Sequence, residues 1–380
     1  MSVSAAPAAR GSASGPFCIA GGGTAGHVLP GLAVARELME RGVARDRIVW
    51  IGAERGIERE LVPAAGIELV ALPGRGIQRR LSRQNLAAAR GLAVALVRGV
   101  REVRRRRPAV VMVLGGYASL GPGIGAVLTR TPLVVAEQNA RAGAANRLLG
   151  RFAVAAAVPF AETDLPRATV TGNPVRAEIL DRAVDPATSR AEARAELGIA
   201  EDRVLVAAFA GSLGSTRINE AVVGLAERWA ERAEVHLHHV VGRRDAATLA
   251  VPREDPGGLT YRRVDYEDRM DRLLAAADVA VCRSGGTTVA ELAVLGVPSI
   301  LVPLPIAPRD HQRANAGPLV RAGGAVLVGD PELDVQRLVD ELTPIVEDPG
   351  RRRAMAVAAR SIARPDAAAA VCDLLEANAR

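Results

Sequence analysis

The chain has 380 residues, of which 49% are apolar and only 2% aromatic, and its formal net charge is +7. This length exceeds the usual size of a single hydrophobic core, so two domains are expected. All 49 cationic residues are arginines spread along the chain, without interleaved aromatic residues that could stack bases; this pattern disfavours a nucleic-acid partner and suits anionic lipid or phosphorylated substrates.

Residues 1–15 are rich in Ser, Ala, Gly and Pro and lack the apolar centre of a signal peptide, which predicts a disordered tail. No apolar run approaches the roughly 18 residues of a membrane-spanning helix. The cysteines Cys18, Cys282 and Cys372 lie far apart and form no CxxC pair, as expected for core thiols in a reducing, cytoplasmic compartment.

The first half of the chain repeats a strand, a glycine turn and a helix. Phe17–Ala20 leads into the glycine turn Gly21–Gly26, and a helix is predicted from about Leu29 to Arg41. Further strands are predicted at Arg47–Ile51, Val110–Leu114 and Leu133–Ala136. These continuous apolar runs are typical of parallel strands buried on both faces.

The second half repeats this pattern after a break near Gly172–Arg176. Its predicted strands are Val204–Phe209, Val235–Val241, Ala280–Cys282 and Ser299–Val302. We therefore predict an α/β fold of two Rossmann-like, doubly wound parallel-sheet domains, residues 16–175 and 176–362, facing a cleft. Residues 363–380 are predicted to form a helix that crosses back to the first domain.

One turn in the second half carries the clearest ligand signal. Arg283–Glu291 follows an apolar strand and opens a helix, so unpaired N–H groups lie at the positive end of the helix dipole and can hold a phosphate. Glu291 lies about one and a half turns further on, where its carboxylate could reach a ribose. Together these features predict a nucleotide-binding enzyme.

A redox enzyme is an alternative. Gly21-x-Gly23-x-x-Gly26 matches the dinucleotide fingerprint, and Glu54 follows the second strand as a ribose-binding acid would. An NAD or FAD oxidoreductase must therefore be weighed. The match is weak, because any glycine-rich turn from strand to helix can satisfy it, and the second nucleotide element in the other half counts against it.

Histidines supply the candidate catalytic base. His27 follows the first glycine turn, and an unperturbed pKa near 6.5 suits a general base at neutral pH; the alternative is a helix-capping side chain. His236 and His238 share one strand face and His239 the other, so core histidines are favoured over a metal cluster. No Asp-x-Asp occurs, so we predict no metal and expect helix termini and arginine to meet diphosphate charge.

The segment 77–108 mixes apolar and arginine residues in a helical pattern, which suits an amphipathic helix on an anionic bilayer. The alternative is a helix that covers the sheet and exposes its arginines to solvent. The predicted membrane contacts are Ile77, Leu81, Leu92, Leu96 and Arg104.

Six motifs occur together in a fixed order. They are Gly22–His27, Gly115–Ser119, Glu137–Asn139, Gly172–Arg176, Cys282–Gly285 and Asp310–Gln312 with Asn315. From about Phe17 to its C-terminus the chain closely resembles the GT-B-fold peptidoglycan N-acetylglucosaminyltransferases. Each motif alone is weak, but together they are specific.

The resemblance implies an inverting transfer of N-acetylglucosamine (GlcNAc) from UDP-GlcNAc to the C4 hydroxyl of the N-acetylmuramyl (MurNAc) sugar. The acceptor is undecaprenyl-pyrophosphoryl-MurNAc-pentapeptide (lipid I), and the product is lipid II. The implied location is the cytoplasmic face of the cell membrane, bound peripherally to its anionic inner leaflet, with other cell-wall synthesis proteins as further partners. No cofactor is required, because UDP-GlcNAc is a substrate.

The resemblance also implies residue roles, with His27 as the catalytic residue. The implied donor-binding residues are Thr24, Ala25, Gly26, Asn139, Arg176, Ser212, Glu267, Gly286, Thr287, Thr288, Val289, Ala290, Glu291, His311 and Gln312. The implied acceptor-binding residues are Gly23, His27, Gly115, Gly116, Tyr117 and Ser119. The chain departs from the family pattern at Ala25 and Leu213, at Glu267, which replaces an apolar residue near the uracil, and at His311.

Three other functions stay open on the sequence. A UDP-sugar epimerase or hydrolase would need acidic catalytic residues in the cleft, and no carboxylate stands beside His27 in the sequence. A diacylglycerol-type glycolipid glycosyltransferase shares the same order of elements, although the motifs at His27, Tyr117 and Asn139 favour the peptidoglycan enzyme. A non-enzymatic scaffold would bind the sugar nucleotide without turning it over.

Overall fold

The computed structural model describes residues 14–73, 83–211, 214–249 and 257–380, with only the backbone of residues 83–89. Most of the predicted tail, residues 1–13, lies outside this range. Its last two residues are held by hydrogen bonds: the Ser14 N–H donates to the Arg380 carbonyl (2.9 Å), and the Gly15 carbonyl accepts from Arg47 (2.8 Å). The prediction of a disordered tail is therefore wrong for these two residues.

The first domain is built on a parallel sheet. Its strands are β1 (Phe17–Gly21), β2 (Ile48–Ala53), β3 (Glu68–Leu72), β4 (Val110–Gly115), β5 (Leu133–Ala136), β6 (Ala155–Val158) and β7 (Ala168–Val170). Its helices are α1 (Ala25–Glu40), α2 (Glu58–Ala64), α3 (Arg83–Arg106), α4 (Leu120–Leu128) and α5 (Ala144–Leu149). The strand order is β3-β2-β1-β4-β5-β6-β7, so the chain reverses direction across the sheet between β1 and β4.

The second domain repeats this topology. Its strands are β8 (Val204–Phe209), β9 (Val235–Val240), β10 (Thr260–Val264), β11 (Val279–Cys282), β12 (Ser299–Leu301) and β13 (Ala325–Leu327), in the order β10-β9-β8-β11-β12-β13. Its helices are α6 (Ala177–Val184), α7 (Pro186–Leu197), α8 (Thr216–Arg228), α9 (Met270–Ala276), α10 (Gly286–Leu295), α11 (His311–Ala322), α12 (Val335–Glu347) and α13 (Pro349–Arg360). Two Rossmann-like parallel sheets constitute the predicted GT-B fold.

Burial explains why these segments form strands. Every residue of β1, β2 and β4 is buried, because helices cover both faces of the sheet and the alternate side chains enter two separate cores. Ile19 and Trp50 pack in the core on one face, and Cys18 and Ile51 in the core on the other. Continuous apolar runs thus form central parallel strands, as predicted.

The final helix, α14 (Ala367–Asn378), lies on the first domain. Val371, Cys372 and Leu375 are buried in the core that contains α1, and the Cys372 thiol donates to the Val34 carbonyl at 3.5 Å. Arg41 at the end of α1 adds ion pairs to the exposed side of α14. The chain therefore passes through the second domain and returns to the first.

Helix α3 covers the sheet and also exposes an outer surface. Ala95 and Val103 are buried in the core beneath α4. Leu92 and Leu96 are half-buried, and among the side chains of α3 from residue 90 onward the most exposed large apolar one is Val97 (69%). The two predicted membrane contacts Ile77 and Leu81 lie outside the described residues, whereas Arg104 is exposed. In the part of the chain described here, no helix is both long and apolar enough to cross a membrane.

Candidate active site

The first glycine loop rests on a buried carboxylate. Both Glu58 oxygens accept a hydrogen bond from the Gly23 N–H, at 3.0 and 2.9 Å, and one of them also accepts from the Ala53 N–H at 2.7 Å. Glu58 has no solvent exposure. The Gly23 N–H is therefore engaged within the loop, and the acceptor contact implied for Gly23 stays a prediction.

Three glycines make the space for this carboxylate. A Cβ at Gly22 would lie 2.1 Å from a Glu58 oxygen, one at Gly56 would lie 1.9 Å from the other oxygen, and one at Gly52 would lie 2.8 Å from the Glu58 side chain. Gly22 and Gly23 also have positive φ angles of 155° and 95°. The loop conformation thus requires glycine for backbone reasons and for contact reasons. Sequence reasoning missed Glu58, although the glycines after β1 and at the end of β2 were a signal.

His27 lies in the first turn of α1, beside the second glycine turn. Its Nδ1 is 3.1 Å from the Thr24 hydroxyl, and a Cβ at Gly115 would lie 3.2 Å from its Nε2. Burial lowers the pKa of His27, while the charges of Glu137 and Glu58 oppose that shift. The imidazole is therefore neutral at pH 7, which is the state a general base needs.

Two expectations about His27 change. Its ring contacts the Thr24 side chain, and no side-chain hydrogen bond caps α1, so the alternative of a helix-capping histidine is wrong. The carboxylates of Glu58 and Glu137 act on it electrostatically, although no carboxylate stands beside it in the sequence. Both glutamates belong to other segments of the chain, and folding brings them near His27.

Glu137 organises the end of β5. One of its oxygens accepts from the Gln138 N–H, the Asn139 N–H and the Asn139 amide, and the other from the Gly143 N–H and the Asn146 amide, all at 2.9–3.1 Å. Its side chain is buried. This carboxylate therefore fixes Asn139, which was predicted to face the donor sugar. Glu137 itself belonged to a recognised motif but had no predicted role.

The second glycine turn, after β4, holds the remaining acceptor candidates. Gly115 and Gly116 have φ angles of 106° and 75°, which few other residues adopt. Ser119 is fully buried and its hydroxyl donates to the Gly116 carbonyl at 2.8 Å, so its side chain shapes the turn. Its predicted acceptor role stays a prediction. Tyr117 is half-buried at the turn, and burial raises the pKa of its hydroxyl.

The start of α10 touches the first domain. A Cβ at Gly286 would lie 1.9 Å from the Gln138 carbonyl oxygen, so only glycine allows this approach. Thr287, Thr288 and Ala290 are half-buried near the helix start. Val289 is 1% exposed in the core of the second domain and its N–H donates to the Gly285 carbonyl. Its predicted donor contact stays a prediction.

The predicted diphosphate and ribose ligands form an ion pair. Arg176 Nε donates to a Glu291 oxygen at 2.8 Å, across 115 residues of sequence. Burial raises the pKa of Glu291, and the charge of Arg176 opposes that shift. Neither terminal nitrogen of Arg176 has a hydrogen-bond partner among the described residues, so both stay available to a phosphate.

Asn315 joins the two domains. Its Oδ1 accepts from the Ala140 N–H at 2.7 Å, and its Nδ2 donates to the Asn139 Oδ1 and the Ser284 carbonyl, both at 3.1 Å. The side chain is fully buried. It belonged to a recognised motif without a predicted role. The geometry makes it the link between the Asn139 side of the cleft and the Ser284 side.

Gln312 and His311 begin α11 at the same cleft. The Gln312 Oε1 accepts from the Leu304 N–H at 2.9 Å, and its carbonyl accepts from the Ser284 hydroxyl at 2.8 Å. His311 is half-buried and lies close enough to His27 that its charge contributes to lowering the His27 pKa. The His27 and His311 side chains therefore approach one another from the two domains.

Glu267, the departure near the uracil position, turns into the protein. One oxygen accepts from the Arg269 N–H at 3.0 Å and the other lies 3.3 Å from His238 Nε2. The neighbouring His238 ring lowers the pKa of Glu267. Its carboxylate is thus engaged within the protein, and the predicted donor contact at this position, which backbone groups could make, stays a prediction.

The strand histidines are core residues. His239 lies between the Tyr261 hydroxyl (2.8 Å) and the Asn219 amide oxygen (3.0 Å), and His236 is buried too. Ser212, the remaining predicted donor residue, lies outside the described residues.

Both halves of the chain match glycosyltransferase models. Residues 17–158 match the glycosyltransferase family 28 N-terminal domain, and residues 205–371 match the family 28 C-terminal domain. A crystal structure of Acinetobacter baumannii MurG superposes with a TM-score of 0.73 at 27% identity, over 96% of this chain and 99% of that one. The calicheamicin glycosyltransferase CalG4 shares the fold, with a TM-score of 0.67 at 16% identity over 96% and 98% of the chains. Fold and site thus define a GT-B glycosyltransferase.

Relatives of known name identify the kind of glycosyltransferase. A UDP-N-acetylglucosamine–N-acetylmuramyl-(pentapeptide) pyrophosphoryl-undecaprenol N-acetylglucosamine transferase from Alkalilimnicola ehrlichii is 43% identical over 96% of this chain and 99% of its own length. Proteins of the same name from Mycobacterium sp. (strain JLS) and Desulforudis audaxviator are 41% and 37% identical, over 92% and 94% of this chain and 92% and 97% of their own lengths. The chain belongs to this family of N-acetylglucosamine transferases, and the oxidoreductase alternative is wrong.

Proposed function

We propose that this protein transfers GlcNAc from UDP-GlcNAc to the MurNAc sugar of lipid I, forming lipid II in peptidoglycan synthesis. The observation that carries the proposal is identity of 37–43% with transferases of this name over 92–96% of the chain. The cleft supports it, because the family motifs meet there from both domains around Asn315.

His27 is the proposed general base. When Nδ1 donates to the Thr24 hydroxyl, the neutral ring leaves Nε2 to accept a proton. The acceptor C4 oxygen loses its proton to Nε2 as it bonds to the sugar C1, and the C1–O bond to the diphosphate breaks with its electron pair leaving on UDP. This single displacement inverts the anomeric centre.

The leaving diphosphate gains negative charge, and groups that are already in place in the site can stabilise this charge. The start of α10 presents backbone N–H groups and the positive end of the helix dipole, and Arg176 offers its two terminal nitrogens. We propose that Glu291 exchanges part of its contact with Arg176 for the ribose hydroxyls. We also propose that no resident metal or other cofactor is needed for turnover.

We further propose that the protein binds peripherally to the cytoplasmic face of the membrane, where its lipid acceptor is anchored. Exposed apolar side chains on three helices and the following turn support this: Val97 on α3, Leu128 at the end of α4, Leu148 on α5, and Phe152. Exposed arginines accompany them, as expected for contact with anionic headgroups. Other cell-wall synthesis proteins are proposed partners, and nucleic acid is not.

The test is UDP release measured with a choice of acceptors. UDP-GlcNAc is supplied with a lipid I analogue, with diacylglycerol, or with no acceptor. Release that depends on the lipid I analogue supports the proposal. Equal release without acceptor would indicate a hydrolase, and a preference for diacylglycerol would indicate a glycolipid synthase. A His27→Ala variant controls for contaminating activity.

A further inference from the structure

A cavity of about 520 Å³ lies in the second domain, away from the cleft. Its lining includes Asp278 and Pro298, which directly precede β11 and β12. It therefore lies at the amino edge of the sheet, whereas the glycine loops and the start of α10 lie at the carboxyl edge. None of the predicted donor or acceptor residues lines it. Its volume falls within the range of small-molecule sites.

Arginines dominate the polar lining of this space, which we name the arginine cavity. They are Arg182 from α6, Arg190 from α7, and Arg352, Arg353 and Arg360 from α13. Asp278 is the one carboxylate among the lining residues, all of which the structure describes. The cavity is thus strongly electropositive.

Asp278 is shared among several guanidinium groups. It accepts from Arg190 at 2.8 Å and from Arg194 at 3.3 Å, and Arg352 lies 4.0 Å away. Arg194 is 4% exposed and its Nε has no partner. Burial and the charge of Arg190 lower the pKa of Arg194. A single carboxylate therefore leaves positive charge uncompensated behind the cavity wall, at an energetic cost.

Two arginines at the rim of the cavity, Arg353 and Arg360, have no carboxylate partner among the described residues. Arg353 is exposed and makes no hydrogen bond or ion pair with any described residue, and Arg360 donates only to the Leu295 carbonyl, at 3.1 Å. Arg182, by contrast, is paired with Glu192 and Asp271. Guanidinium groups of this kind match the oxygens of a phosphate.

The rest of the lining is apolar. The lining contains four larger apolar residues: Leu274, Leu295, Val297 and Pro298. Val357 adds an apolar side chain that is 67% exposed. It is on α13, the helix that also carries Arg353 and Arg360. A ligand that fills this space therefore needs an apolar part as well as an anionic group.

We propose that the arginine cavity is a second ligand site, which binds a small phosphate ester. The phosphate meets Arg353 and Arg360, and the apolar part lies against Val357. Because the cavity and the cleft are at opposite edges of the sheet, such a ligand binds together with UDP. The proposal does not depend on the proposed transferase function.

The test is isothermal titration calorimetry of the full-length protein with 1-naphthyl phosphate, in the presence of saturating UDP so that the cleft is occupied. Arg353→Glu is compared with Arg351→Glu. Both arginines are exposed on α13 without a described side-chain partner, but only Arg353 lines the cavity. We expect Arg353→Glu to raise the Kd about tenfold or more and Arg351→Glu to leave it within about twofold.

Three results would overturn the proposal. They are no binding to the wild-type protein, equal Kd values in the two variants, and binding that occurs only in a companion titration from which UDP is omitted. A parallel arm uses phosphatidylglycerol vesicles to distinguish a lipid headgroup from a soluble ester. If Arg353→Glu affects sedimentation with vesicles while 1-naphthyl phosphate does not bind, the cavity is a lipid contact and the proposal is wrong.

Discussion

Replacing Asn315 by alanine removes the side chain that ties Asn139 and Ala140 of the first domain to Ser284 of the second. Three hydrogen bonds of 2.7–3.1 Å are lost inside a fully buried contact. At about 1 kcal/mol net for each bond, the apposition of the two domains loses about 3 kcal/mol. Both substrates bind between the domains, so this loss weakens the assembled site.

The assay is steady-state transfer with UDP-GlcNAc and a lipid I analogue. Because 1.4 kcal/mol corresponds to a factor of ten, we expect kcat/KM to fall about 100-fold in Asn315→Ala. Asn378→Ala is the matched control, since Asn378 makes one hydrogen bond within α14, far from the cleft, and we expect no change. A kcat/KM within twofold of wild type in Asn315→Ala would refute the bridging role.

Five further predictions concern the base, its carboxylates and the membrane. His27→Ala should lower kcat by about 10²–10⁴-fold with little change in the KM for UDP-GlcNAc, measured by initial rates; near-normal kcat would remove the base assignment. Activity should fall with decreasing pH through a His27 pKa below the ordinary 6.5, since the base must be neutral. Glu137→Gln removes a charge that raises this pKa, so the acid limb of the pH profile should move to lower pH, and an unmoved limb would contradict the coupling. Glu58→Ala should lower the free energy of unfolding by about 2–3 kcal/mol in denaturant titration, because the Gly23 and Ala53 N–H groups lose their acceptor; an unchanged midpoint would argue against this role. Val97→Glu should reduce sedimentation with anionic vesicles, whereas Val184→Glu, an exposed apolar position in the second domain, should not; equal effects would refute the membrane surface.

The central strands of both sheets were predictable from sequence, because burial on both faces selects continuous apolar runs. The strands that escaped prediction are mostly peripheral. β7 is exposed, β3 is only partly buried, and β6 is alanine-rich, so neither hydrophobic pattern nor composition marks them. Helix α1 begins at Ala25, earlier than the predicted Leu29, because it starts directly from the glycine loop without a side-chain cap.

Parts of the candidate site that belong to one short motif could be predicted from the sequence. Contacts between residues far apart in the sequence could not. The glycine turns and His27 follow strands directly, so their place at the strand ends could be inferred. Glu58 acts on Gly23 from 35 residues away, and Arg176 meets Glu291 across 115 residues. Such pairings depend on the packing of the whole domain, which a single sequence does not specify.

The same argument applies to three of the predicted site residues. Ser119, Val289 and the Glu267 carboxylate lie within ligand-binding motifs by position, but each side chain is directed toward the turn, the core or a neighbouring histidine. Position within a motif therefore predicts the backbone path more reliably than it predicts which side chain faces the ligand.

The most direct test of the account is proton NMR of the product formed from UDP-α-GlcNAc and a lipid I analogue. We predict one new GlcNAc anomeric signal with the large coupling constant of a β linkage, attached at C4 of the MurNAc sugar. An α linkage would contradict the single displacement assigned to His27. Free GlcNAc or an epimerised sugar nucleotide, without a glycolipid product, would contradict the transferase function itself.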